Sequence, residues 1–145
     1  MATATSFAKL NENWNAEPNA PEPVVRVDGA DLILEFGLNA WQFPQFSEGQ
    51  RGYIRFRDTW RYRVGIVNDE GWDRGQCRFS SVAPAWGEFY EVSGDLKLSN
   101  LPDDWLLMTP DPKRGVRHFL FYFRDEEFEC DVVSWEFHPD DGGAA

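Results

Sequence analysis

Two cysteines, two histidines and 25 Asp and Glu residues are the side chains from which this 145-residue chain can build chemistry. A cysteine nucleophile needs exposure and a basic neighbour. Cys77 and Cys130 fall on the apolar sides of their segments, whereas His118 falls on the polar side of its own and faces away from Cys130. That pattern disfavours a Cys–His pair, and both cysteines read as buried thiols in a reducing compartment. There is no Gly-x-Ser-x-Gly elbow. His118 and His138 lack a His-Glu-x-x-His or paired-cysteine setting, so no metal site is expected. The acidic run Asp69-Glu70-Gly71-Trp72-Asp73 lacks the twelve-residue calcium-loop pattern. Glu88 and Glu91 flank Phe89-Tyr90, where burial would raise a carboxyl pKa as glycoside hydrolysis requires. On a strand, however, they face opposite sides. No catalytic residue and no cofactor are therefore assigned.

Binding residues are easier to nominate. Flat aromatic rings suit sugars and apolar ligands, and Trp41, Trp72 and Trp86 lie in or beside loops where such a role is open. Trp60, Trp105 and Trp135 sit at inward phases and read as core. A second candidate is a basic stretch on an acidic protein of net charge -11. Residues 51–78 carry Arg51, Arg55, Arg57, Arg61, Arg63, Arg74 and Arg78 against only Asp58, Asp69, Glu70 and Asp73. A hairpin closed at Arg57-Asp58-Thr59 would set Arg55 opposite Arg61 and Tyr53 opposite Arg63. Like charges at that distance need anionic compensation. The outward row Glu127, Glu129 and Asp131 could supply it from within, and an anionic ligand or acidic partner could supply it from outside. Arg55, Arg61 and Arg63 thus join the three tryptophans as candidate ligand-binding residues.

The elements that position these residues read as strands. Val24–Val27 and Ala30–Phe36 flank Asp28-Gly29, a two-residue turn that would place Arg26 opposite Asp31 and Val25 opposite Leu32. Residues 52–67 alternate as a hairpin, Gln76–Ser80 as a further strand, and 86–92 as a strand more than a helix. Leu96–Leu98 and Trp105–Met108 are short strands. Phe119, Phe121 and Phe123 then alternate with His118, Leu120, Tyr122 and Arg124, and Phe128, Cys130 and Val132 answer them. This hairpin pairs Phe123 with Phe128, Phe121 with Cys130 and Phe119 with Val132. The apolar phase shifts at Val133, Trp135 and Phe137, which predicts a β-bulge near Val132-Val133.

Short links and one-sided alternation imply an all-β domain. A mainly antiparallel β-barrel or closed sheet of about eight strands is expected, with a two-sheet sandwich as the alternative. Residues 1–22 read as a flexible N-terminal arm, 23–139 as the domain and 140–145 as an exposed tail. The acidic balance argues against nucleic acid. No stretch is long and apolar enough for a membrane span, and no secretory leader is evident, so a cytoplasmic location follows. The expected function is a non-enzymatic binding or protein-interaction domain, of which an acidic protein neutralising a basic partner, such as a nuclease toxin, is a special case. The alternatives are a carrier holding an apolar or sugar-like molecule in an aromatic-lined barrel cavity, and an enzyme of unknown class.

Overall fold

The computed structural model describes residues 5–66, 68–74, 79, 83–94 and 103–140. Alternating apolar and polar side chains put much of this chain into strands, because a strand directs neighbours to opposite faces. These are β1 (Ser6–Lys9), β2 (Val24–Asp28), β3 (Asp31–Gly37), β4 (Arg51–Ile66), β5 (Phe89–Ser93), β6 (Leu106–Leu107), β7 (Arg117–Tyr122) and β8 (Glu126–His138). A short helix, α1 (Asp69–Asp73), follows β4 and takes up the acidic run. Asn68 caps it by accepting a hydrogen bond from the Gly71 amide at 2.8 Å.

All eight strands join one antiparallel sheet in the order β1-β5-β7-β8-β4-β3-β2, with β6 added beside β4. The expected closed barrel, and the sandwich kept beside it, give way to this open sheet. Closure requires a ladder between the outermost strands, and β1 pairs with β5 while β2 pairs with β3. Side chains join the two ends instead. Phe36 of β3 reaches Phe121 of β7 at 5.3 Å, and Phe56 of β4 reaches Phe89 of β5 at 6.1 Å, so the sheet curls over its own concave face. Trp14 plugs that face, stacked on Phe137 at 3.9 Å, and Ala16 bridges Leu38. The segment expected as a loose arm therefore supplies strand β1 and a buried tryptophan. The concave core is completed by Leu32, Leu34, Ile54, Phe119, Phe128, Cys130 and Val132. Each such side chain contributes roughly 1.5–3 kcal/mol on burial.

The expected hairpin at 52–67 is instead one strand, β4. Asp58 takes a positive φ of 57° without reversing the chain, and its amide donates to Asp31 Oδ1. β8 runs along the whole of β4, so both halves are held by the same neighbour. Their register slips between Thr59↔Val132 and Arg61↔Asp131, leaving Trp60 as the extra residue. The irregularity lies where the phase shift on β8 placed it, with the surplus residue on the partner strand.

Two other registers differ from expectation by two residues. In β2–β3, Val25 pairs with Leu34 and Asp28 with Asp31, so the turn is Gly29-Ala30. Gly29, at φ 63°, occupies the first central position, as a type II′ turn requires. In β7–β8, Phe121 pairs with Phe128 and Phe119 with Cys130. Phe123 leaves the ladder to stack on Phe121 at 4.4 Å. A shift of two preserves which side chains face the core. The proposed strands at Leu96–Leu98 and, apart from Phe79, at Gln76–Ser80 lie outside the described residues, as does Cys77.

The convex face of β5, β7, β8 and the second half of β4 is also covered. Tyr90, Val92, Leu120 and Tyr122 pack there against Phe79, Ala83, Trp72, Trp86 and Phe7. No helix among the described residues is long and apolar enough to cross a membrane.

Candidate functional site

Covering the convex face buries the polar residues that alternate with the core. After the slip at Trp60, Arg61 and Arg63 point to this face, as do Glu127, Glu129 and Asp131 of β8 and His118 of β7. All six are buried. Charges in such a place must be paired, and they pair with one another. His118 is 1% exposed, and its ring sits between Asp131 Oδ1 on Nδ1 and Glu129 Oε1 on Nε2, both at 2.8 Å. Burial is the largest single influence and pulls the imidazole pKa down, but the two carboxylates outweigh it and hold the pKa at about 8. At neutral pH the ring is an imidazolium donating from both nitrogens.

The arginines complete the cluster. Arg61 Nε donates to Asp131 Oδ2 at 2.7 Å, and its guanidinium lies 4.1 Å from the ring centres of both Trp60 and Trp105. A cation between two indoles gains from both ring faces. Arg63 donates through Nη1 to Glu127 Oε1 and Glu129 Oε2, each at 2.8 Å, and through Nε and Nη2 to Asp104 at 2.7 and 3.2 Å. The bond from Arg63 is the main reason the Asp104 carboxyl sits below its ordinary pKa. Gly65 makes room for the cluster, since a Cβ there would approach Glu127 Cγ at 3.0 Å and Arg63 Nη2 at 3.1 Å. Both nitrogens of His118 are committed to carboxylates. Burial also raises the Cys130 thiol well above its ordinary pKa, on the opposite, aromatic face. Among the described residues no group of His, Cys, Asp and Glu is arranged to hold a metal ion.

The arginine stripe expected on one solvent-facing surface divides instead. Arg55 is bonded to Asp28 and Asp31 at 3.0 and 2.9 Å, and Arg51 to Glu35 at 3.0 Å, on the outer side of the first half of β4. Arg61 and Arg63 lie within the buried cluster. Because residues 51–66 form one strand, Arg55 never faces Arg61. Arg78 lies outside the described residues. Trp60 and Trp105, read as core, are instead half-buried rings that stand over Arg61 outside the aromatic core, while Trp135 does pack on that core. Sequence reasoning offered Glu127, Glu129 and Asp131 as internal partners for Arg61 and Arg63, and the structure pairs them so. What it missed is the burial of the cluster and the part played in it by His118 and Asp104.

The tryptophans are partly brought together. Trp86 stacks on Tyr122 at 4.6 Å and lies 6.4 Å from Trp72, so those two help close the convex face. Trp41 is 93% exposed. It stands between two clefts of about 320 and 450 Å³. The smaller is lined by Trp41, Trp86, Tyr122, Glu17, Glu88 and Arg124, the larger by Trp41, Leu38, Phe46, Glu17 and Glu48, among others. The loop carrying Trp41 is pinned on both sides. Asn39 Oδ1 accepts from the Gln42 amide at 3.0 Å, the Asn39 amide donates to Asn15 O at 3.0 Å, and Gln45 donates to Asn13 O at 2.7 Å. Compared with known proteins, the chain matches no protein family, no curated protein and no solved structure.

Proposed function

We propose that this protein is a non-enzymatic interaction domain that docks a protein partner at Trp41. One observation carries the reading: a tryptophan 93% exposed, on a loop held by hydrogen bonds to its neighbours, with a cleft on each side. A large ring presented at little entropic cost is the usual centre of an interface. The titratable groups that resemble catalytic machinery support it too, because Arg61, Arg63, Glu129, Asp131 and His118 spend their bonds on one another. The carrier alternative loses its barrel cavity, since the sheet is open and its concave face is filled by aromatic rings. A buried thiol at Cys130 fits a reducing, cytoplasmic setting.

The test is site-specific photo-crosslinking in the native cell from Gln42 and, separately, from Arg26 on β2. Crosslinks from Gln42 that disappear in a Trp41→Ala background are expected. Trp41→Ala should leave the unfolding free energy within about 0.5 kcal/mol, as an exposed substitution does. Crosslinks that arise equally from Arg26, or that persist without Trp41, would sink the proposal.

A further inference from the structure

Resting on that reading, we infer that the segment docking at Trp41 is basic, an arginine- or lysine-rich stretch of protein that lays a cationic side chain on the indole. The charge around the ring selects it. Glu17 lines both clefts, Glu48 the larger, and Glu88 the smaller, against the single cation Arg124. Arg124 is occupied in donating to Asn19 O at 2.7 Å. Glu88 is shared with Lys9 at 3.4 Å and Asn11 at 2.7 Å. Among the described residues neither Glu17 nor Glu48 has a cationic partner. Glu17 is held in place, because its Oε2 accepts from the Asn19 amide at 2.9 Å and from the Ala20 amide. A third cleft beyond Gln42 carries Glu12 and Lys9 together, so the excess of carboxylates is confined to the two clefts beside Trp41.

The interior of the same molecule shows how well this combination holds a guanidinium. Arg61 rests on two indoles with a carboxylate on its Nε. Trp41 with Glu17 and Glu48 offers an indole and carboxylates to a cation arriving from outside, so ring quadrupole and Coulomb attraction act together. An acidic segment would meet repulsion from the same carboxylates and from a chain of net charge -11.

Octa-arginine peptide titrated into isotope-labelled full-length protein tests this by nuclear magnetic resonance, with the Trp41 indole assigned through Trp41→Phe. The largest shifts should fall on the Trp41 indole and the amides of residues 39–49, and binding should weaken as salt rises. Glu17→Gln with Glu48→Gln should weaken it by about tenfold or more. The same charge change made as Asp111→Asn with Asp140→Asn should weaken it by less than about twofold. Equal weakening by both pairs, or shifts centred away from Trp41, would mean diffuse attraction and overturn the inference. If that happens while crosslinking from Gln42 still depends on Trp41, the interaction domain stands and its partner is not basic. Loss of the Trp41-dependent crosslink as well would remove both.

Discussion

The two halves of β4 carry the same residue type at the same spacing and put it to opposite uses. Arg55 in the first half lies along the outer surface, bonded to Asp28 and Asp31 of the adjoining β2–β3 hairpin. Hydrogen bonds donated to both acids raise its pKa further, and the half-buried side chain keeps some contact with water. Arg63, in the second half, lies beneath the covering loops with Glu127, Glu129 and Asp104. Burial penalises its charge first, and the carboxylates more than restore it. An ion pair in water is weakly stabilising because the solvent already solvates each charge. The buried pair makes each member depend on the other, since a charge left alone there has no solvent to turn to. The difference comes from what packs over the strand rather than from the strand itself.

Removing one member on the buried side should have the largest effect. Arg63→Ala removes a buried cation shared by Glu127, Glu129 and Asp104, and chemical denaturation should show a loss of about 3–5 kcal/mol. A loss below about 1 kcal/mol would mean that water reaches the cluster. On the concave face, where no charge is involved, Phe121→Ala should cost a comparable ~3–5 kcal/mol through lost transfer energy and a cavity. The two substitutions differ in their rescue. Lowering the pH to protonate carboxylates should recover part of the Arg63→Ala loss and none of the Phe121→Ala loss.

The imidazolium of His118 sharpens the comparison through pH. Its pKa is about 8 in the folded protein and about 6.5 when unfolded. A raised folded pKa means that its contribution is complete below about pH 6.5 and fades as pH rises through 8. The difference corresponds to about 2 kcal/mol. Unfolding free energies of the wild type and His118→Gln, measured across that window, should show this slope in the wild type only. An identical slope in both would assign it to another group.

Gly65→Ala introduces a Cβ against Glu127 Cγ and Arg63 Nη2, neither of which is free to move far. A loss of about 1–2 kcal/mol is expected, less than a typical overpacked core because Ala suits a strand better than Gly. A gain in stability would show that the cluster has slack. The smallest effect belongs to the first half of the strand, where the half-buried Arg55 keeps contact with water and Arg55→Ala should cost under about 1 kcal/mol and lose even that at high salt. A larger, salt-insensitive loss would erase the contrast between the two halves.

The sheet character, the inner faces of Ile54, Phe56, Phe119, Phe121, Phe128 and Cys130, and the break in phase on β8 were all legible in the sequence, because alternation reports which side of a strand is dry. The two hairpin registers were displaced by two residues for the same reason, since such a shift leaves every side chain on its face and the pattern cannot tell the two apart. The reading of 52–67 failed at Asp58-Thr59, where a positive φ bends a continuous strand and locally resembles a turn. The exposed Trp41 was found from its place in a loop, but the carboxylates around it were not, because Glu17 and Glu88 come from distant parts of the chain.

Sequence alone therefore determined that this chain is built from antiparallel strands with one strongly aromatic face, since the period-two pattern is local and the cost of exposing so many rings is large. Tertiary structure alone decided that the sheet stays open, because pairing between the edge strands β1 and β2 depends on where those edges arrive. It also decided that His118, Arg61 and Arg63 lie inside. A polar row on a strand is expected in water, and Asp104 and Trp105, carried over that row by another segment, help turn it into an interior whose charges must satisfy one another.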